Sequence, residues 1–498
     1  MSPLLLPLLV PFMAALCCSL FTKNLKLQRT VSLIAALFHL AASFNLLQTV
    51  RAEGIQVYLN GGWAANIGIA LVADLFSSIM LVITGLISLV VLVYSFKEMK
   101  EELQARFYFP LFNFLMMGVN GSFITGDMFN LYVWFEVMLL SSFILLAMGK
   151  KPDQLEGAIK YVTINLFSSI LFLSGAAIIY AKTGSLNMAD IAIRIAESSD
   201  EKLLNSTAIL FLSSFGIKSA LFPMFLWLPA SYHTPPVSIS SLFAGLLTKV
   251  GIYAMIRTFT LIFPLDNGLL QEFFYVIAIL TMVVGVLCAA SQFEVRKILS
   301  VHIVSQIGYM ILGLSLFTPL GIAGAIFYLL HNIIVKTNLF LLSGVILRKK
   351  GSCDLKKIGG LYKINPGFAT IFALSAFALA GVPPLSGFWA KFVVLKAAAD
   401  SHEYLLLGTG LAVGVVTLFS MTKIWAEAFW KKQPEEYPGE GIDTGNQPWQ
   451  IMLPIIFLTC CTFGLGIWGE FIFEICVEAA EQLLNPEEYI KAVMGGVK

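Results

Sequence analysis

The chain has 498 residues, of which 58% are hydrophobic and 12% are charged, and its formal net charge is +2. A soluble domain carries roughly 25% charged residues, so this composition excludes a globular chain with one anchor and indicates a polytopic membrane protein. The small net charge points to no class of partner, and no basic cluster with interleaved aromatic residues predicts binding to nucleic acid.

Apolar segments follow one another along almost the whole chain. A helical span needs roughly 20 apolar residues, and the sequence predicts an all-α transmembrane protein with about 14 such helices. The first segment is interpreted as a span because it lacks the basic leader and cleavage site of a signal peptide. An amphipathic surface helix is expected over 471–498. The predicted segments are 3–21, 30–50, 68–95, 107–125, 128–148, 159–181, 205–229, 236–262, 272–292, 298–317, 321–347, 366–396, 404–430 and 449–470.

Basic residues in the connecting loops predict the orientation of these segments. Loops after odd-numbered segments carry most of the lysines and arginines, whereas loops after even-numbered segments are mostly poor in them. The loop at 182–204 is an exception, but it also holds four acidic residues. We therefore expect the odd-numbered loops to face the cytoplasm and both termini to lie on the outer side.

No stretch between the segments is long enough for a soluble catalytic domain. Gly464, Gly466 and Gly469 match the GxGxxG pattern, but they follow no predicted strand of a βαβ unit. No Walker pattern is present, so ATP is not expected as the direct energy source. The seven cysteines show no CxxC or Cys/His spacing, and no cofactor is predicted.

Proline interrupts two of the segments, the seventh at Pro223 and Pro229 and the twelfth at Pro383 and Pro384. Proline removes a helical hydrogen bond and clashes with the preceding turn, so both helices are expected to be discontinuous. Discontinuous helices in corresponding positions of two halves are typical of inverted-repeat transporters.

The spacing of the two breaks predicts two inverted five-helix repeats, formed by segments 4–8 and 9–13. Because each repeat has an odd number of helices, the second enters the membrane from the opposite side. The predicted units are an N-terminal group of three helices, the first repeat, the second repeat, and the last helix with its tail. Their bounds are 1–106, 107–262, 272–430 and 449–498.

Ionisable side chains lie deep inside several apolar segments. A charge at the bilayer centre costs roughly 2.5–3.5 kcal/mol on insertion scales, so such residues normally face a bundle interior and mark an ion or proton path. Burial disfavours the charged form of a lysine, which makes a buried lysine a switchable proton carrier. A lysine that snorkels to the interface is the alternative for Lys218. The main candidates for a proton-transfer relay are Glu136, Lys218, Lys249, Lys336 and Lys391.

Glu136 is the only acidic residue deep in its segment, and pairing with Lys218 would offset the burial of both groups. Separating the pair would change the proton affinity of each partner, and this coupling can drive a proton along the chain. A purely structural ion pair is the alternative. Lys249 is expected to receive a proton from Lys218 through water, and Lys391, after the second break, is expected to lie at the outer exit.

Two histidines extend the list of relay candidates. His331 and Lys336 share one segment, and their spacing places them about 140° apart on a helix, whereas Asn332 and Lys336 share a face. The titration range of histidine suits proton transfer, so His331 and His302 are candidates, with a hydrogen-bonded packing role as the alternative. Lys336 is the stronger candidate of its segment.

Four further charged residues are not included in the predicted relay. Lys423 and Glu427, at i and i+4, are expected to form a local ion pair near the cytoplasmic end of a helix. Asp127 is interpreted as a helix-start or interface residue. Asp74 receives no role.

Several of these stretches resemble one known family. The proton-translocating family shared by the antiporter-like subunits of complex I and the Mrp-type multisubunit cation/proton antiporters carries similar motifs. In combination these motifs are highly specific, and they span roughly residues 70–430. The similar stretches are 126–136, 218–223, 227–229, 235–249, 301–309, 331–336 and 381–391.

The resemblance implies fourteen helices, with two inverted five-helix repeats and broken helices 7 and 12. It implies that Glu136 and Lys218 form the switch pair, that Lys249 is the central relay and that Lys391 lies on the exit side. Residues 125–143 and the lysine of the twelfth helix most resemble the D-type branch of the Mrp proteins. That branch implies a bacterial cell membrane and, as partners, a large A-type subunit and small membrane subunits.

Three functions are considered for a chain with these buried ionisable residues and this resemblance. The leading hypothesis is a secondary transporter subunit in which proton influx drives efflux of Na⁺ or another monovalent cation. The alternative is a redox-driven pump subunit of complex I or of a membrane-bound hydrogenase, with the electron chemistry in other chains. A non-transporting scaffold is disfavoured by five buried ionisable residues. No compact carboxylate cluster marks a Na⁺ site, which is expected in a partner subunit or at an interface.

Overall fold

The computed structural model describes residues 2–198, 200–265, 268–437 and 447–495. The chain begins with a 3₁₀ turn at Pro3–Leu5 that leads into the first helix. Four helices form the N-terminal part: α1 (Leu6–Leu20), α2 (Leu25–Glu53), α3 (Leu75–Glu98) and α4 (Glu101–Gln104).

A small antiparallel hairpin connects α2 to α3, and the apolar pattern of the sequence did not predict it. Strand β1 (Gln56–Leu59) pairs with β2 (Ala70–Ala73), and a 3₁₀ turn at Asn60–Gly62 follows β1. The hairpin takes up the beginning of the third predicted segment, so the helix starts later than expected. Asp74 fixes that start, because its carboxylate accepts a hydrogen bond from the Ser77 N–H at 2.9 Å.

The next part of the chain contains the predicted first repeat. Its helices are α5 (Tyr108–Ile124), α6 (Met128–Ala147), α7 (Pro152–Thr183), α8 (Met188–Ala196), α9 (Glu201–Ser219), α10 (Trp227–Tyr232), α11 (Val237–Leu242) and α12 (Thr248–Leu261), with a π-helical turn at Phe243–Leu247. Asp127 starts α6 as predicted, because it accepts a hydrogen bond from the Asn130 N–H at 2.7 Å. The short helix α8 was not predicted.

The remaining helices contain the predicted second repeat and the tail. They are α13 (Leu269–Ser291), α14 (Val295–Ser315), α15 (Pro319–Lys350), α16 (Leu361–Ile364), α17 (Pro366–Ala380), α18 (Ser386–Asp400), α19 (Tyr404–Trp425), α20 (Trp449–Ile467), α21 (Glu470–Leu484) and α22 (Pro486–Met494), with a π-helical turn at Ala426–Trp430. The predicted tail helix is therefore two helices, because Pro486 starts a new one, and its last residues, 496–498, lie outside the described residues.

Eleven helices in the described part of the chain are long and apolar enough to cross a membrane. The other predicted segments correspond to Tyr108–Ile124, which has 17 residues, and to the two interrupted helices. The predicted all-α membrane architecture is confirmed apart from the small hairpin. The exact total of fourteen spans stays a prediction.

Three spans form the centre of the bundle. The most apolar stretches of Val237–Leu261, Val295–Ser315 and Pro319–Lys350 are wholly buried, whereas those of most outer spans are buried over less than half of their length. Ionisable residues on these three spans are therefore separated from lipid by other helices.

Both predicted helix breaks are present. Helix α9 ends at Ser219 and is followed by Ala220 at φ 59°, and α17 ends at Ala380 and is followed by Gly381 at φ 92°. In each case a proline lies three residues after the left-handed residue. Pro229 does not interrupt a helix, because it lies inside the first turn of α10, where its missing N–H would have no helical partner.

A buried ion pair joins three parts of the fold. Arg257 of α12 contacts the carboxylate of Asp74, and the two side chains are only 7% and 2% exposed. The guanidinium carbon also lies 5.7 Å from the ring centre of Tyr253 and 5.2 Å from that of Tyr489 in α22. Asp74 and Arg257 therefore fix the N-terminal helices and the C-terminal tail to the central span.

We expect Asp74→Asn to lower the free energy of unfolding by about 3–5 kcal/mol, because it leaves a buried guanidinium without a countercharge. Because asparagine keeps the oxygen that caps α3, the loss of stability measures the contribution of the Asp74 charge. Thermal and denaturant unfolding of the assembled protein measures it. The control is Asp400→Asn, which breaks the half-exposed Lys396–Asp400 pair and should cost less than about 1 kcal/mol. Equal losses in the two variants would contradict the assignment.

Candidate functional site

The four candidate lysines are all buried in the bundle. Their exposed fractions are 4% for Lys218, 0% for Lys249, 0% for Lys336 and 7% for Lys391. The snorkelling alternative for Lys218 is therefore wrong, because a snorkelling amine would reach the surface. Glu136, in contrast, is only half-buried.

Glu136 and Lys218 lie close together but do not form an ion pair. The Lys218 amine lies 4.8 Å from the ring centre of Phe135, the residue before Glu136. The Glu136 carboxylate instead accepts a hydrogen bond from the Ser169 hydroxyl of α7. Within the described residues no contact of 4.0 Å or less joins the predicted pair, although the Glu136 charge still acts on Lys218. Nothing in the local sequence around Ser169 had marked it as part of the site.

Lys249 follows a shift in the hydrogen-bond register of its helix. The π-helical turn at Phe243–Leu247 comes directly before α12, and such turns are frequent at functional sites. The Lys249 amine donates a hydrogen bond of 2.5 Å to the carbonyl of Ala244, five residues earlier. The irregular turn therefore supplies the polar partner of the most deeply buried lysine of the first half.

In the second half, Lys336 and the two histidines connect four helices. The Lys336 amine of α15 donates to the carbonyl of Leu299 in α14 at 3.1 Å. The His302 ring of α14 lies 2.9 Å from the Ser420 hydroxyl of α19. The His331 ring of α15 lies 2.8 Å from the Ser386 hydroxyl of α18. Each histidine has one nitrogen in a hydrogen bond and the other buried without a protein partner.

Lys391 folds back over the second helix break. Its amine donates to the carbonyl of Ala380, the last residue of α17, at 2.8 Å, and it lies 5.3 Å from the ring centre of Tyr309. A Cβ atom on Gly381 would lie 2.9 Å from the Lys391 Cδ atom, so the glycine makes room for this path. A cavity of about 590 Å³ between α18 and α19 has Lys391 in its wall.

Backbone carbonyls, rather than carboxylates, are the hydrogen-bond acceptors of these amines. Lys249, Lys336 and Lys391 each donate to one carbonyl, and no ion pair involves a candidate lysine in the part of the chain that the structure describes. A carbonyl accepts a hydrogen bond from an ammonium and from a neutral amine, whereas a carboxylate strongly favours the charged form. The arrangement is therefore compatible with both the charged and the neutral form of these three amines.

Several buried polar atoms without a protein partner belong to residues close in sequence to the relay candidates. Buried polar groups are normally bonded to protein or to ordered water. Several unpartnered ones flank the relay candidates in the sequence, which indicates positions for ordered water along the relay. They include Ser219 Oγ, Thr248 Oγ1, Ser305 Oγ, Gln306 Nε2, Asn332 Nδ2 and Oδ1, and Thr337 Oγ1.

The predicted pair of Lys423 and Glu427 is wrong. Lys423 donates to the carbonyls of Ala290 and Gln292, both at 2.6 Å, and Glu427 pairs with Lys431 at 2.7 Å. The α-helix changes to a π-helical turn between the two residues. The wider turn alters the i, i+4 geometry on which the prediction depended.

No group of three or more histidine, cysteine, aspartate or glutamate side chains in the described residues has the geometry of a metal site. The candidate side chains are four amines, two imidazoles and one carboxylate, with neutral polar groups beside them.

Comparison with known proteins gives matches over almost the full chain. Residues 125–417 match the family described as NADH:quinone oxidoreductase/Mrp antiporter, TM. The D-type subunit of the Na(+)/H(+) antiporter of Alkalihalophilus pseudofirmus is 46% identical over 490 residues, which cover 98% of this chain and 99% of the relative.

Two solved structures share the fold over the same length. A chain of the Mrp complex from Dietzia sp. DQ12-45-1b superposes with a TM-score of 0.91 at 31% identity, covering 99% of this chain and 100% of that one. A chain of an archaeal membrane-bound sulfane sulfur reductase superposes with a TM-score of 0.91 at 26% identity, with the same coverage.

We expect Gly381→Ala to lower the free energy of unfolding by about 1–3 kcal/mol, because alanine is strained at positive φ. Its Cβ would also meet the Lys391 side chain at 2.9 Å. Gly408→Ala in α19 is the control, since a Cβ there has no neighbour within 4 Å. The control should be neutral or up to about 1 kcal/mol more stable, as alanine favours the helix. Thermal unfolding compares the two, and a neutral Gly381→Ala would contradict the packing described here.

Proposed function

Because this chain belongs to the NADH:quinone oxidoreductase/Mrp antiporter family, we propose that it translocates protons as the D-type subunit of a multisubunit Na⁺/H⁺ antiporter. The family makes it a multi-pass membrane transporter subunit rather than an enzyme. In the proposed reaction, proton influx down the proton motive force drives the efflux of Na⁺ or another monovalent cation.

The observation that carries this proposal is a row of four buried amines, three of which, on Lys249, Lys336 and Lys391, donate to backbone carbonyls. The Lys218 amine instead lies 4.8 Å from the ring centre of Phe135. Lys218, Lys249, Lys336 and Lys391 occur on four different helices, two in each half of the chain. Desolvation disfavours the charged form of each amine, and no carboxylate contact opposes this effect. A proton can therefore leave one amine for the next through water without breaking an ion pair.

Glu136 is proposed to control the first amine from a distance. Lys218 contacts the ring of Phe135, the residue before Glu136, while the Glu136 carboxylate contacts Ser169 and not the amine. A charge on Glu136 favours the ammonium form of Lys218, and protonation of Glu136 removes that support. Protonation of Glu136 would thus favour release of a proton from Lys218, and deprotonation of Glu136 would favour its return. The Ser169 hydroxyl of α7 donates a hydrogen bond to the same carboxylate.

The proton is then proposed to pass to Lys249, to Lys336 and finally to Lys391. Helices α9 and α12 lie in contact near the first step, because a Cβ on Gly251 would lie 2.4 Å from Ser219 Oγ. Lys336 lies close enough to both Lys249 and Lys391 for electrostatic repulsion between their charged forms. His331 and His302 keep a free ring nitrogen beside this path and are proposed as secondary proton carriers.

The surface position of Glu136 supports an assembly with partner subunits. Val133 and Leu140, one turn to either side of Glu136 on α6, are 37% and 60% exposed. A carboxylate that faces lipid in mid-membrane is costly, so a neighbouring subunit is expected to cover it. By the likeness to Mrp proteins, the proposed neighbours are a large A-type subunit and small membrane subunits.

The cation is proposed to cross outside this chain's relay. Four amines make the interior path repel Na⁺, and a Na⁺ site needs several oxygen ligands. We therefore place the Na⁺ route in a partner subunit or at an interface. The proposed location is a bacterial cell membrane, with odd-numbered loops in the cytoplasm and both termini outside.

Two inverted five-helix repeats, at 107–262 and 272–430, are proposed to frame the relay. The left-handed residues at the ends of α9 and α17, each followed three residues later by proline, support the correspondence. In this arrangement Lys218 and Lys391 flank equivalent breaks.

A redox-driven pump is the second candidate function. The full-length likeness to a chain of a sulfane sulfur reductase complex favours this function. A redox-driven pump would use the same proton relay. In that case the electron-transfer chemistry would belong to other chains.

We expect Lys218→Ala and Glu136→Ala to abolish Na⁺-dependent proton movement in inverted vesicles that carry the whole complex, because each removes one half of the proposed switch. Assembly is checked in parallel. Lys160→Ala is the control, since Lys160 pairs with Glu156 on the exposed surface of α7. Full activity in either switch variant would contradict the role proposed for that residue. A wild-type complex that ignores Na⁺ but pumps protons with an electron donor would favour the redox pump.

A further inference from the structure

Asn332 is buried in the centre of the second half without any protein partner. Its exposed fraction is 0%, and neither its Nδ2 nor its Oδ1 has a hydrogen-bond partner. Among the amide side chains of the described residues, no other has both polar atoms in this state. A buried amide in this position is costly, at about 1–3 kcal/mol for each unsatisfied group.

Asn338 on the same helix shows what a structural asparagine looks like. It is also 0% exposed and its Oδ1 also lacks a partner, but its Nδ2 donates to Ser375 Oγ at 2.9 Å and to Thr459 Oγ1 at 2.8 Å. These bonds tie α15 to α17 and α20. Asn332 makes no comparable tie between helices, so packing does not account for an amide at its position.

The position of Asn332 places it on the relay. It lies one helical turn before Lys336 and on the same face of α15. Helix α15 packs against the π-helical turn that precedes Lys249, since a Cβ on Gly245 would lie 2.3 Å from Thr337 Oγ1. The unpartnered Thr337 and Thr248 hydroxyls lie next to Lys336 and Lys249 in the sequence.

The surrounding charges identify the ligand. The ionisable groups around His331 and Lys336, the neighbours of Asn332 on α15, are Lys249, Lys391 and His302, and all of these side chains are neutral or positive. They oppose a bound Na⁺ ion, and the free Nδ2 donor of Asn332 would also repel it. Water, which both donates and accepts hydrogen bonds, suits the two free atoms of the amide.

We propose that Asn332 binds and orients a water molecule that carries protons to and from Lys336, which makes it a positioning residue of the relay; this inference rests on the proposed function. Oδ1 accepts a hydrogen bond from the water and Nδ2 donates one to the water chain. When a neighbouring ammonium gives an N–H proton to this water, the water passes one of its own protons to the neutral Lys336 amine. The amide itself gains and loses nothing.

The test compares Asn332→Leu with Asn338→Leu in the whole complex. Leucine has a similar shape to asparagine, so it fills the site and excludes water. For Asn332→Leu we expect an unchanged or higher melting temperature and a fall of roughly tenfold in the proton transport rate, the equivalent of one hydrogen bond to a charged group. For Asn338→Leu we expect a lower melting temperature and an unchanged rate per assembled complex.

A second pair of variants covers a failure of Asn332→Leu to assemble. Asn332→Ser and Asn332→Ala have nearly the same size, but only serine keeps a group that binds water, so serine should transport faster. Equal rates in this pair, or a wild-type rate in Asn332→Leu, would overturn the proposal. The wild-type complex in the same assay distinguishes a failure of the Asn332 proposal from a failure of the proposed function. If the wild-type complex shows no Na⁺-dependent proton movement, the proposed function itself is contradicted.

Discussion

The desolvation of lysine amines inside the helical bundle is the constraint that connects the irregular parts of this fold. Lys249 and Lys391 lose their water when the central spans close around them, and each replaces it with a backbone carbonyl. The carbonyl of Ala244 comes from a π-helical turn, and that of Ala380 from the end of a broken helix. The breaks in regular helix thus supply the partners that let a bare amine remain in an apolar interior.

A buried charge that stays fixed has a carboxylate partner instead of a backbone carbonyl. Arg257 is buried next to Asp74 and lies between two tyrosine rings. An arginine side chain does not lose its proton in proteins, so this ion pair is permanent and serves the fold. The candidate lysines have carbonyl or aromatic neighbours, which are compatible with either form of the amine. The choice of partner therefore separates structural charges from those proposed to carry protons.

Features that follow from apolar length and proline position were predicted correctly, but the β1–β2 hairpin, the short helix α8 and several side-chain contacts were not. Apolar length and proline position are local, so the spans and both helix breaks were found. The contact of Glu136 with Ser169, the pairing of Glu427 with Lys431 and the Asp74–Arg257 pair depend on helix packing or on π-helical turns. The periodicity of an ideal α-helix predicts neither which helices pack together nor where a π-helical turn occurs.

The central claim is that the buried amines act by releasing protons, not by their charge alone. Lys249→Arg and Lys249→His test it most directly, with proton transport measured in the whole complex and normalised to assembly. The guanidinium keeps the positive charge but cannot release its proton, whereas imidazole can. The account predicts no transport in the arginine variant and residual transport in the histidine variant. An arginine variant that transports as fast as wild type would contradict it.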